Sequence, residues 1–159
     1  MRQKELLVRL KMIIIFSGIF VLVFCLNIST KTGKEILLNA ENLKVLYKPF
    51  TIFIWITLIP FFIALVLGWL ICSDIRSSQS FTVKNANRLK LISILSMVEG
   101  TLYVGAVFYL FVVGSYHTNV LIILLLILFF SIVISIFTSL LSHLVRKASE
   151  IKQDNDLTI

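Results

Sequence analysis

Apolar and polar positions along the chain separate into four long apolar runs, at 12–28, 50–72, 91–114 and 119–145, divided by short polar stretches. A helix needs about 17 to 25 predominantly apolar residues to cross a bilayer core, and each run meets that length. The pattern predicts four transmembrane helices, an outer loop at 29–49, an inner loop at 73–90, a short turn between the third and fourth runs, and a tail at 146–159. None of these polar pieces is long enough for an independent core. The expected architecture is therefore a single all-α, polytopic membrane domain over residues 1–159.

Composition sharpens this reading. With 58% hydrophobic and 14% charged residues and a mean hydropathy of +1.01, too little polar surface remains to clothe a soluble globule. Lysines and arginines beside the spans set orientation, because positively charged flanks stay in the cytoplasm. With both termini inside, eleven lie on the cytoplasmic side, among them all five arginines, and Lys31, Lys34, Lys44 and Lys48 lie outside. Both termini are thus expected to be cytoplasmic, with the chain multi-pass in a bacterial plasma membrane. Tyr47 and Tyr116 at the outer interface and Trp69 at the inner one fit the same orientation. The first run is longer than a usual signal core and no small-x-small site follows it, so it is expected to remain a span.

The net charge of +7 raises nucleic acid as a partner, but the basic residues are dispersed beside the spans, without a recognition helix or stacking platform. Topology and anionic lipid headgroups account for them, so the bilayer is the expected partner and direct nucleic-acid binding is not expected. Cys25 and Cys72 fall near opposite ends of their spans, too far apart for a bridge, and neither belongs to a CxxC pair. Both are expected to pack as small apolar residues, with no metal or cofactor.

Polar and small residues inside the spans are patterned. Ser131, Ser135, Thr138, Ser139 and Ser142 recur at three- and four-residue spacing, which places them on one helical face expected to look into the bundle. On the second span Pro60, Ala64, Gly68 and Cys72 form a stripe suited to close helix approach, with a bend expected at Pro60. Glu99 is the only acidic side chain within any run, eight residues into the third. Ser93, Ser96, Gly100 and Tyr103 share its side of the helix, so a carboxyl hydrogen-bonded to hydroxyls, including those of the fourth span, is expected.

Outside the spans, Thr32-Gly33-Lys34-Glu35 resembles a capping box opening a short interfacial helix with Ile36, Ala40, Leu43 and Tyr47 at helical spacing. The fourth run rises about 40 Å against a hydrocarbon core of about 30 Å, so its inner end is expected to project into the cytoplasm. Beyond it Arg146 and Glu150 stand one turn apart, and Asp154, Asn155 and Asp156 precede the aliphatic Leu157 and Ile159. This end is expected to dock on the inner loop, where Arg76, Phe81 and Lys84 are the contact candidates, or on a partner.

The stretches Leu46-Tyr47-Lys48-Pro49-Phe50, Ile59-Pro60-Phe61-Phe62-Ile63-Ala64-Leu65 and Asp74-Ile75-Arg76-Ser77-Ser78-Gln79-Ser80-Phe81-Thr82-Val83-Lys84 carry a further likeness. Together with the ending Ala148-Ser149-Glu150-Ile151-Lys152-Gln153-Asp154-Asn155-Asp156-Leu157-Thr158-Ile159, the chain resembles the YoaS-like small bacterial membrane proteins, a family built on a domain of unknown function. The first span matches only in character, and Glu99 lies outside the shared pattern. The resemblance implies a four-helix membrane protein, often encoded beside a small helix-turn-helix regulator, and brings no catalytic residues.

Enzyme chemistry finds little material: there is no HExxH, nucleophile elbow or P-loop, and His117 and His143 fall on opposite sides of the membrane. The first functional expectation is a non-enzymatic regulatory or interaction protein that holds a cytoplasmic partner, such as a small DNA-binding regulator, through its inner loop and tail. The alternative is a small transporter, channel subunit or toxin-immunity protein that uses Glu99, Ser96, Tyr103, the stripe Ser131, Ser135 and Ser139, and the Pro60 bend. A pore of four-helix subunits requires a homo-oligomer.

Overall fold

The computed structural model describes residues 2–27, 47–76, 81–114 and 118–157. They form four helices: α1 (Arg2–Asn27), α2 (Tyr47–Arg76), α3 (Val83–Val113) and α4 (Thr118–Leu157). No strand occurs among the described residues. All four helices are long and apolar enough to cross a membrane. In hydrocarbon a helix satisfies its own backbone donors and acceptors, which is why runs of this composition fold as helix throughout. The expected capping box at 32–35 lies outside the described residues.

Local signals mark the ends of α3. Thr82 adopts an extended backbone and its hydroxyl accepts from the Asn85 N–H at 3.3 Å, satisfying one of the free donors of the first turn. At the other end Gly114 takes φ 68°, the left-handed conformation that glycine tolerates best, and its N–H donates to the Phe111 carbonyl. α2 continues as one helix through Pro60. Since proline has no N–H, the Ile56 carbonyl one turn earlier lacks its usual partner there.

Consecutive helices pack in chain order, α1 on α2, α2 on α3 and α3 on α4, and the α3–α4 pairing is the most extensive. Its basis is a seven-residue repeat of small residues. Ala86, Ser93 and Gly100 are buried at intervals of seven on α3, as are Ser142 and Ser149 on α4, with the half-buried Ser135 continuing their register. Small side chains at such intervals let two helices approach closely, the main source of attraction between helices in lipid. Ser139 falls outside this narrow seam and is exposed, so the expectation that it looks into the bundle is corrected. The five serines and threonines span a broad arc of the helix, whereas the contact occupies a strip.

Elsewhere the helices present apolar side chains outward, including Phe16 at 72% and Phe108 at 70% exposure. Phe16, Phe20 and Phe24 stack along one side of α1 with ring centroids 6.4 and 6.2 Å apart. Such a surface belongs in hydrocarbon.

The helices overrun the apolar runs chiefly at one end. There α1 starts ten residues before position 12, α2 ends four after 72, α3 starts eight before 91, and α4 ends twelve after 145. At the opposite end α2 starts three residues early, α3 stops one short and α4 starts one early.

Candidate functional site

The overrunning end gathers polar side chains from all four helices. Lys11 on α1 donates to the Ser73 hydroxyl of α2 at 2.8 Å, and its ammonium lies 4.6 Å from the Trp69 ring centroid. Asp74 at the end of α2 pairs with Arg88 of α3 at 2.6 Å, and Arg88 also donates to Asn85 Oδ1 at 2.9 Å. Asn85 is 1% exposed, so this junction reaches into the packed interior. Arg146 on α4 donates to Asn87 Oδ1 of α3 at 2.6 Å, and one turn deeper Ser142 donates to the Ala86 carbonyl at 2.7 Å. Ala86 is fully buried beneath that bond.

Beyond this junction the expected contact residues form a separate, outward set. Arg76, Phe81, Lys84 and Glu150 are exposed, Phe81 at 57%, and Asp154 and Asn155 are exposed on the last turns of α4. Asp156 and Leu157 lie on the same helix, while Ile159 falls outside the described residues. Lys11, Ser73, Asp74, Asn85, Asn87 and Arg88, which join the helices, were not foreseen as site residues. A signal for one pair was present: Asp74 is the only acidic residue between Glu41 and Glu99, and it sits among Arg76, Lys84, Arg88 and Lys90.

Within the membrane the serines serve the α3–α4 seam. Ser93 Oγ donates to the Ser135 carbonyl at 2.8 Å, and Ser135 Oγ donates to the Ser93 carbonyl at 3.0 Å, a reciprocal pair between the helices. Their two hydroxyl oxygens are 3.2 Å apart. Ser131 Oγ donates to the Ser96 carbonyl. A double-mutant cycle of Ser93→Ala and Ser135→Ala, followed by SDS titration, is expected to give a coupling of about 0.6 kcal/mol, below about 1.7 kcal/mol.

Glu99 does not join this ladder, contrary to the expectation of hydroxyl partners on the fourth span. It is half-buried, and its Oε2 is buried without a hydrogen-bond partner among the described residues; Thr51 Oγ1 on α2 is in the same condition. Tyr103, one turn further along α3, meets Phe53 of α2 edge-on at 5.3 Å between ring centroids. Ser93 and Gly100 therefore belong to the side of α3 that meets α4, and Tyr103 to the side that meets α2.

The described residues hold no group of three His, Cys, Asp or Glu side chains able to bind a metal ion, and Cys25 and Cys72 are free thiols. A cavity of about 270 Å³ lies between α2, α3 and α4 toward their less charged end, lined almost wholly by apolar atoms, with Phe50, Phe53, Ala106 and Leu124 among them.

These features define an all-helical, multi-pass membrane protein with four spanning-length helices, joined at one end by a polar junction. The chain belongs to the DUF2975 family, described as "Protein of unknown function", whose profile matches residues 33–159. It is 30% identical over 155 residues to the "Uncharacterized membrane protein YoaS" of Bacillus subtilis strain 168, an alignment covering 94% of this chain and 95% of that protein. No solved structure matches the chain.

Proposed function

We propose that this protein is a non-enzymatic interaction protein of the bacterial plasma membrane, with both termini cytoplasmic, that captures a soluble partner on its inner face. The partner class is a small DNA-binding regulator. The observation that carries this reading is the one-sided overrun, most of all α4, whose 40 residues rise about 60 Å where a hydrocarbon core takes about 30 Å. A helix held at its root by Arg146 and Asn87, and presenting Glu150, Asp154 and Asn155 outward, offers a rigid docking edge. The exposed Phe81, just before α3, adds a candidate aromatic anchor.

In-membrane crosslinking of tagged protein co-expressed with a small helix-turn-helix regulator encoded beside its gene tests this reading. The full chain is expected to capture the regulator, and a chain ending at Val145 is expected to lose at least about nine-tenths of the capture, as removal of a central contact of a few kcal/mol dictates. Since truncation also removes the Arg146 anchor and the buried Ser149, Phe81→Ala combined with Glu150→Lys serves as a variant that alters exposed positions only. Equal capture by all forms, or capture by none, rejects the reading.

A second reading, a small transporter, channel subunit or immunity protein, draws on the unpartnered Oε2 of Glu99. It requires flux through liposomes, or protection from a toxin peptide, that Glu99→Gln abolishes.

A further inference from the structure

The close seating of α3 on α4 ends partway along the two helices. Gly100 faces Ser131 in the seam, but one heptad further the positions are Val107 on α3 and Leu124 on α4, side chains too large for the same approach. Beyond Gly100 lies the apolar cavity of about 270 Å³, which α2 bounds with Pro49, Phe50 and Phe53. All its lining positions except Pro49 fall inside the apolar runs, so it sits at the depth of hydrocarbon. Its wall is thin at Gly105 and Ala106, two adjacent small residues, and a Cβ at Gly105 would meet no atom within 4 Å. Leu124 is buried, whereas Phe50, Gly105 and Tyr109 line the cavity and are also exposed, so the space opens toward the bilayer. Left empty, it forfeits contacts along every wall. Water is a poor filler, because a buried water needs two to four polar partners and the lining is almost wholly apolar. An apolar cavity of about 150 Å³ takes up one benzene ring, so by proportion this one accepts about ten carbons. The lining runs along α3 from Leu102 to Leu110, a rise of about 12 Å, which suits an extended chain better than a compact ring. At that depth the surrounding solvent consists of such chains.

We propose that this cavity is a binding site for one acyl chain of a bilayer phospholipid, which enters past Gly105 and packs against Phe53, Ala106 and Leu124. The chain fills the space left where the small-residue seam ends, so the lipid becomes part of the packing of α2 on the α3–α4 pair. The inference stands apart from partner capture on the inner face, because it concerns the opposite end of the helices and requires neither the α4 extension nor a soluble protein.

Leu124 supplies the test, because it is 6% exposed and lipid that merely surrounds the helices does not reach it. The full chain is placed in nanodiscs of phosphatidylethanolamine and phosphatidylglycerol, where a trace of the phosphatidylglycerol carries a diazirine midway along one acyl chain. Illumination followed by tandem mass spectrometry records which side chains the carbene enters. Phe129 on the same helix, 63% exposed, reports ordinary lipid contact, and the buried seam residue Ser131 reports background. Leu124 is expected to label at least as strongly as Phe129. Ala106→Phe and Gly105→Phe, which fill the cavity from its small-residue wall, are expected to lower Leu124 labelling to the level of Ser131 and to leave Phe129 unchanged. Each variant is first shown to be monodisperse and helical by circular dichroism, and Ala106→Leu, a smaller filling, replaces a phenylalanine that fails this check. Labelling of Leu124 in the unaltered chain no higher than that of Ser131, or undiminished labelling in the filling variants, overturns the proposal. So does labelling of Leu124 by a free diazirine fatty acid but not by the phospholipid, a result that assigns the cavity to a free single-chain acid.

Discussion

Gly100→Leu is expected to destabilise the protein by about 3 kcal/mol, enough to separate α3 from α4 in a mild SDS titration. A Cβ at Gly100 would lie 3.1 Å from Ser131 Oγ and 3.6 Å from Leu128 Cδ1, so even the first added carbon meets the opposing helix. The serine cannot swing aside freely, because its hydroxyl donates to the Ser96 carbonyl. A leucine must therefore push the helices apart. The Ser93–Ser135 and Ser142–Ala86 bonds depend on the same close approach and lengthen with the separation. Overpacking alone costs about 1 to 3 kcal/mol, and interhelical hydrogen bonds in lipid add about 0.6 kcal/mol each. Gly105→Leu is the matched control five residues along the same helix. No atom lies within 4 Å of its Cβ position, and a change within about 1 kcal/mol is expected, because leucine favours helix where glycine does not. If both substitutions cost the same, backbone flexibility rather than close approach explains Gly100.

That contrast also shows what the residue pattern did and did not disclose. Four helices were legible because an apolar run of spanning length has few alternatives to helix in hydrocarbon. Ser131, Ser135 and Ser142 were legible as inward-facing because their spacing follows a helical face. Ser139 was misplaced because a 3.6-residue period describes a broad face, whereas the α3–α4 contact follows the narrower seven-residue repeat that also buries Ser149. The polar junction was harder to see. Its members are scattered over Lys11, Asp74, Arg88 and Arg146, and which lysine or arginine meets which acceptor depends on how far each helix continues beyond its apolar run. The first basic residues after a span read as orientation signals, and that reading hid their role in joining helices. Glu99 was legible as an oddity by its charge alone, while the placement of Tyr103 beside α2 depends on the rotation of α3, which the small residues at 86, 93 and 100 fix by seating another side against α4.

Arg88→Ala is expected to cost about 2 to 3 kcal/mol and to lower the melting temperature in nanodiscs, the largest effect at the polar junction. Arg88 and Asp74 side chains are 12% and 23% exposed, so the pair is largely withdrawn from water and its loss exceeds that of a surface bridge, though interfacial screening keeps it below a fully buried one. The guanidinium also serves a second acceptor, Asn85 Oδ1, and Asn85 is itself held by the Thr82 cap at the start of α3. One side chain thus ties the end of α2 to the first turn of α3. Arg88→Lys keeps the charge but replaces a planar fork with a single ammonium on a flexible stem, and is expected to lie between alanine and the native residue. Alanine and lysine of equal stability would mean that the charge contributes nothing and that only the fork's geometry matters. On the proposed reading the junction also bears on partner capture, since Phe81 and Lys84 flank the start of α3 that Arg88 ties to α2. Arg88→Ala is therefore expected to weaken capture while leaving membrane insertion intact, because insertion depends on the apolar runs and the docking edge depends on how their ends are joined.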